Sequence, residues 1–293
     1  MKKSSLLLTL VFLGCSQPKK TVSTFKTEPL TQGFKSYWFD GTAEISSYRL
    51  TQSRYKEPRQ GSAVLIYVTE DFWTDAQVKA NQKNENTQTV LKLNRTKNFL
   101  TGIYPYSIMS SIFTRLEQPA PLVKATTSIQ EWCGQTYLQL NRKEKIQIKS
   151  HSYFEGEADQ NLNFKNGLTE DELWMWIRTQ PNELPQGKID LLPSFEFIRL
   201  NHLPIQWYPA ETELIEQGPV KVYHITFPTL QRKLSIHFDA APPYPILEWT
   251  EADLQNPTLT TRAQRIKTLK LPYWRLNNLG EEHYRDSLGL KPF

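Results

Sequence analysis

Alternation of apolar and polar residues over short segments constrains this chain more than any other feature. Leu138 and Leu140 flank Gln139, and Ile146 and Ile148 flank Gln147. Leu234, Ile236 and Phe238 alternate with Ser235 and His237. Successive side chains of a strand point to opposite faces, so a period of two describes a sheet with one face buried. Val64, Ile66 and Val68 interleave with Leu65 and Tyr67, which predicts a strand buried on both faces. Pro228-Thr229 sits between 222–227 and the run from Leu234, as in a hairpin. Further strands are expected over 42–54, 89–100, 194–200, 246–250 and 261–270.

Helical signals are few. Thr169-Glu170-Asp171-Glu172 has the layout of a capping box, in which the Thr169 hydroxyl accepts a first-turn amide and Glu172 reaches back. Leu173, Trp174, Trp176 and Ile177 follow at helical spacing until Pro181, a pattern that suits core better than a ligand platform. A second short helix is expected over 278–288. Strands about ten residues apart, no βαβ rhythm and 12% aromatic residues predict a mainly β fold. The expected architecture is antiparallel strands in a curled sheet, half-barrel or barrel-like, with one or two short helices. No repeat of fixed period supports a propeller or solenoid.

The first residues carry a different message. Lys2 and Lys3 precede a short apolar run that ends Phe12-Leu13-Gly14-Cys15. That is the layout of a secretory signal, and the run is about half of the ~20 residues a membrane-spanning helix needs. Phe12-Leu13-Gly14-Cys15 resembles a lipobox, the motif at which bacteria acylate the cysteine and cleave before it. The resemblance implies a signal peptide over 1–14, lipidation at Cys15, and a polar tether over 15–32. A single β-rich domain is then expected over 33–293. Ser16 in place of Asp after the cysteine implies the outer membrane, with no acidic cluster directing the chain to the cell surface. The expected location is therefore the periplasmic face.

Charge and cysteine count narrow the classes of function. Part of the formal charge of +5 belongs to the leader lysines. No Lys/Arg stripe interleaves with stacking aromatics, so nucleic acid is not an expected partner. With Cys15 acylated, Cys133 is left alone and is expected to be a buried, inert thiol beside Trp132.

No catalytic set assembles in the sequence, and this weighs against an enzyme. His151, Glu155, Glu157 and Asp159 fall at odd positions and would share one strand face. Such a set can bind a divalent cation or move protons. Gly156 interrupts it, and a solvated strand shows the same alternation. Ser235, His237 and Asp239 lack the G-x-S-x-G elbow of many hydrolases, and phosphate-loop, dinucleotide and H-E-x-x-H patterns are missing. No cofactor is implied.

The uncharged stretch 101–113 stands apart. Tyr104, Tyr106, Ile108 and Phe113 either belong to the core or line a cavity for an acyl chain, as in β-sheets curled around an apolar ligand.

Several blocks together resemble a family of predicted lipoproteins from Bacteroidetes-type bacteria, of uncharacterised function, whose members are sometimes labelled "septum formation inhibitor Maf". They are Tyr37-Trp38-Phe39-Asp40-Gly41-Thr42-Ala43-Glu44-Ile45, residues 61–70, 101–110 and 130–134, and Ser150-His151-Ser152-Tyr153-Phe154-Glu155-Gly156-Glu157-Ala158-Asp159. The resemblance implies a location and no mechanism. The Maf label implies a cytoplasmic nucleotide pyrophosphatase with a Pro-Arg-Arg loop, and Ser53-Arg54-Tyr55-Lys56-Glu57-Pro58-Arg59 has neither that spacing nor a following helix.

The leading expectation is a non-enzymatic, membrane-anchored periplasmic lipoprotein that binds an apolar ligand or an envelope partner, in biogenesis or maintenance of the cell envelope. The partners expected are the membrane itself and a lipid or outer-membrane protein. The alternatives are a periplasmic hydrolase or metal-dependent enzyme on the His151 face, and a purely structural component of envelope assembly.

Overall fold

A computed structural model describes residues 30–116 and 122–290. The leader, Cys15 and most of the tether lie outside them. Among the described residues sixteen strands form one sheet. The first half comprises β1 (Ala43–Arg54), β2 (Glu57–Trp73), β3 (Val78–Lys79), β4 (Thr87–Thr101), β5 (Tyr104–Arg115), β6 (Leu122–Glu131), β7 (Gly134–Arg142) and β8 (Ile146–Ser152). The second half comprises β9 (Gln160–Phe164), β10 (Leu168–Thr169), β11 (Gly187–Leu192), β12 (Tyr208–Gln217), β13 (Val220–Phe227), β14 (Arg232–Asp239), β15 (Ile246–Asp253) and β16 (Thr260–Leu271). The described residues also form four short α-helices: α1 (Gln32–Trp38), α2 (Glu170–Thr179), α3 (Phe195–Leu200) and α4 (His283–Ser287).

The strands run as an antiparallel meander in which β16 returns to pair with β1, Ala43 opposite Leu271. The two-residue β3 folds back on β2, and β2 then pairs directly with β4. The one parallel pair among the described strands is the short β10·β11. The sheet does not close into a barrel, because its order ends at β9 on one side and β10 on the other. Trp207 spans that seam. Its ring meets Phe164 edge-on, 5.0 Å between centroids, and its Nε1 donates to Leu168 O at 2.8 Å. Gly167 is required there, since a Cβ would lie 2.6 Å from Trp207 Nε1.

The chain enters the interior at the seam. Thr169 ends β10 and caps α2: its Oγ1 accepts from Glu172 N, and Glu172 Oε2 accepts from Thr169 N at 3.1 Å, the expected capping box. Glu170 through Arg178 are all buried. Side chains of α2 reach Glu44 on β1, Arg95 on β4, Arg142 on β7, Arg232 on β14 and Trp249 on β15. One helix touches strands so widely spaced in the sheet order only if the sheet curls around it.

The inner faces of the strands and α2 form the main core, with Tyr48, Leu65, Tyr67, Leu91, Trp174 and Trp249 fully buried. Outside the sheet, Val64, Ile66 and Val68 pack against Ala43 and Ile45 and against Leu288 and Leu290 of the C-terminal segment. That packing is why β2 reads as apolar on both faces.

Four expectations need correction. Segment 194–200 is helix α3, with Ser194 Oγ accepting from Phe197 N at 3.3 Å; Phe195 and Phe197 imitate alternation in a window too short to separate the two periods. The folded part begins before residue 33, because Leu30 packs on the core and Thr31 caps α1, a helix no pattern announced. Cys133 is exposed at the apex of the β6–β7 hairpin, where Glu131 and Gly134 pair across a two-residue turn. The C-terminal helix is only His283–Ser287, within the expected 278–288.

Candidate functional site

Charged residues break the apolar inner face of the sheet where α2 passes. On β4 the inward positions Leu91 and Leu93 are followed by Arg95 and Lys97, both buried. Arg95 Nη2 donates to Asp171 Oδ1 at 3.0 Å and lies 3.8 Å from Glu196 on α3. Lys97 Nζ donates to Glu196 Oε1 at 2.6 Å. Arg232 donates to both oxygens of Glu170 and, through Nε at 3.0 Å, to Glu251 on β15. Arg142 donates to Glu172 at 2.8 Å. Each acid of the first turn of α2 thus has its own cation from a different strand, and all three also face the positive end of the helix dipole.

The linked set Glu170, Asp171, Glu196 and Glu251 faces Arg95, Lys97 and Arg232. Burial, opposed by Arg95 but reinforced by the carboxylates of Glu170 and Glu196, pushes Asp171 up to about 6. Glu172 is also raised, mainly by burial. Glu251, by contrast, is held below its ordinary range by Arg232 and Lys97 against the cost of burial.

Above this network lies a cavity of about 250 Å³, between α3 and the adjacent ends of β1, β15 and β16. Arg232 and Glu251 are at its floor; Gln52, Arg54, Phe197 and Leu230 are among its walls. Arg54 Nη1 donates to Leu200 O, which terminates α3, and Nη2 reaches the Tyr106 hydroxyl at 3.3 Å. Its Nε is buried with no hydrogen-bond partner. Such a donor carries a desolvation cost of about 1–3 kcal/mol until an acceptor meets it.

The rim beside the cavity is aromatic. Tyr55 and Lys56 form the β1–β2 apex with φ of 54° and 61°, a left-handed geometry usually given to Asn-Gly. The Arg54 guanidinium covers the Tyr55 ring at 4.4 Å, and the Tyr55 hydroxyl lies 2.8 Å from that of Tyr106. The row continues through Tyr104, 6.0 Å from Tyr106, to Trp132, 6.4 Å from Tyr104. It ends at Tyr153, packed so closely on Gly134 that a Cβ there would lie 2.8 Å from the ring.

The residues expected to line an acyl cavity are divided by the pleat of β5. Tyr106 and Ile108 point into the main core and Tyr104 packs at its edge, whereas Phe113 belongs to an outer cluster with Phe72, Val90 and Val123. Phe113 therefore cannot share a pocket with the other three, and none of the four lines the cavity. Nor do His151, Glu155, Glu157 and Asp159 converge. His151 Nδ1 lies 3.3 Å from Asp159 on the surface, while Glu157 turns to His202, Ser152 and Arg199. Among the described residues no group of three or more His, Cys, Asp or Glu is placed to hold a metal ion. Ser235 bonds His224, 2.7 Å away, and Asp239 accepts from Ala241 N.

No family model matches the chain, and no curated protein matches it. A crystal structure of a β-barrel-like protein of the domain of unknown function DUF1849 from Brucella abortus is similar over 78% of this chain and 97% of that one. The TM-score is 0.46 and the identity 8%. The class established is a mainly β protein: a large, curled antiparallel sheet left open at one seam and wound around a buried helix.

Proposed function

We propose that this chain is a membrane-anchored envelope lipoprotein that binds a small amphiphile at its rim without transforming it. The observation that carries the reading is the cavity itself, lined by both polar and apolar side chains between α3 and the ends of β1, β15 and β16. The interior cannot serve as the binding chamber, because α2 and its ion pairs occupy it. The rim cavity offers Gln52, Ser53 and Arg54 for a polar head group, with Phe197, Leu200 and Leu230 for a short apolar part. The lipobox-like Phe12-Leu13-Gly14-Cys15 supplies the anchor in this reading. Among the described residues no helix is long and apolar enough to cross a membrane.

Purification from detergent-solubilised membranes, followed by native mass spectrometry, tests the proposal. A small amphiphile should accompany the protein and be lost from a Leu230→Trp variant, whose indole fills the cavity. A protein partner carried over with an empty cavity would favour the envelope-partner alternative. Identical empty masses for both forms would end the ligand reading.

A further inference from the structure

The hairpin apexes of the rim present apolar residues where turns ordinarily carry polar ones. In chain order they are Tyr55-Lys56, Gly102-Ile103, Trp132-Cys133 and the β8–β9 connection beginning at Tyr153. The antiparallel meander puts all four at one end of the sheet. Ile103 is 82% exposed, Tyr153 71% and Trp132 68%. At the other end the β7–β8 apex is Lys143-Glu144-Lys145 and the β12–β13 apex is Gly218-Pro219. Exposed apolar side chains occur elsewhere too, Phe39, Val78 and Leu279 among them, but the rim is where aromatic and apolar residues stand at successive hairpin apexes.

We infer that this aromatic rim seats in the headgroup layer of the bilayer that carries the anchor, so that the cavity mouth beside Tyr55 faces lipid. Tyr and Trp favour that layer, where an apolar ring and a polar tip are both satisfied. The charges flanking the apexes are mixed (Lys56, Glu57, Glu131, Glu155), so partition of the rings drives the contact and anionic lipid is not required. The tether allows it. Leu30 and α1 lie at the opposite end, where Trp38 packs on Tyr67 and the Trp38 carbonyl accepts from Thr69. The chain from Cys15 to Leu30 spans up to ~50 Å at ~3.3–3.6 Å per residue. The twelve residues of β1 cover only ~40 Å at ~3.3 Å each, so the tether can run past the body and leave the rim on the membrane.

This inference rests on the reading that the protein is held at a membrane, and quenching by lipid separates the two. Acylated full-length protein is reconstituted into phosphatidylcholine vesicles with brominated acyl chains, and emission is compared among wild type, Trp132→Phe and Trp274→Phe. Trp274 is the internal control, being 43% exposed but just beyond the far end of β16. Brominated lipid should remove most of the emission assigned to Trp132 and leave that of Trp274, with the same result when phosphatidylglycerol is added. Ile103→Asp should weaken the Trp132 quenching while leaving circular dichroism unchanged. Equal behaviour of the two tryptophans would overturn the inference. So would a Trp132 shielded from aqueous iodide but insensitive to brominated lipid, which would assign the rim to a protein contact. Failure of the anchor shows separately, as protein that does not float with vesicles of either kind.

Discussion

Arg178, in the last turn of α2, and Glu44, near the start of β1, form a two-pronged ion pair with both N–O distances 2.6 Å and both side chains buried. Tyr37 of α1 donates a further hydrogen bond to Glu44, and Arg178 Nε donates to Pro243 O at 2.9 Å. The guanidinium also lies over the rings of Trp38 and Tyr67, at 4.9 and 4.5 Å. One pair thus ties the end of the internal helix to the first strand and to α1. Removing one partner leaves the other charge buried and uncompensated, at a cost of about 3–5 kcal/mol. Arg178→Met should destabilise by that amount in urea unfolding. The double variant Arg178→Met/Glu44→Leu should be less destabilised than Arg178→Met alone; a simple sum of the two single effects would refute the coupling.

Asp171 gives the stability a pH dependence of definite sign. Its folded pKa, about 6, lies above the ordinary carboxylate value. The folded state therefore holds the proton more tightly than the unfolded chain. The stabilising contribution is fully present below the unfolded pKa and is lost as pH rises through about 6. Glu172 is shifted in the same direction. Glu44 and Glu251 are shifted downward, and their contributions are lost only in more acidic solution. Melting temperature should rise as pH falls from neutrality through 6, then drop further into acid. Asp171→Asn should flatten the rising limb. An Asp171→Asn profile parallel to wild type would contradict the assignment.

Much of the sheet is readable from the chain, and the reasons are local. Strands β1, β4 and β16 fall within a few residues of their expected bounds because Tyr48/Leu50, Leu91/Leu93 and Leu269/Leu271 alternate with neighbouring residues, even though the phase slips at the Ser47/Tyr48 bulge of β1. Helix α2 is legible through Thr169 and Glu172, whose reciprocal bonds span only three residues. The partners of its acids are not legible in this way, since Arg95, Arg142 and Arg232 lie 76, 30 and 62 residues away. One signal does point to them: Arg95 and Lys97 continue the inward phase set by Leu91 and Leu93, where an apolar residue is expected. The cavity is invisible in sequence because α3, β1 and β15 meet only through the curl of the sheet. Cys133 misleads for a similar reason, as its exposure depends on the Glu131–Gly134 register.

Gly61 marks the tightest approach inside the sheet. A Cβ there would lie 2.2 Å from the carbonyl oxygen of Asn98 and 2.8 Å from Phe99 Cβ, and backbone on β4 cannot yield as a side-chain tip can. Gly61→Ala should destabilise by about 1–3 kcal/mol, as overpacking generally does. Gly41→Ala serves as the contrast, since its positive φ adds strain but nothing lies within 4 Å of the new Cβ. Equilibrium unfolding of the pair checks the order, with Gly61→Ala the worse.

The Cys133 thiol is open to solvent, yet its pKa is raised, first by a hydrogen bond with Glu131 and then by that carboxylate's charge. Detergent-solubilised protein should label completely at Cys133 with a maleimide, as read by peptide mass, but slowly at neutral pH. Glu131→Gln should accelerate the reaction because more of the thiol is then ionised. A rate unchanged by that substitution would show that Glu131 does not govern the thiol.

Growth with labelled palmitate, followed by mass analysis of the purified chain, decides where this body works. The account predicts that label enters wild type, that the mature N-terminus is Cys15, and that Cys15→Ser abolishes both. An unlabelled chain that still begins at Met1 and partitions into buffer would contradict it.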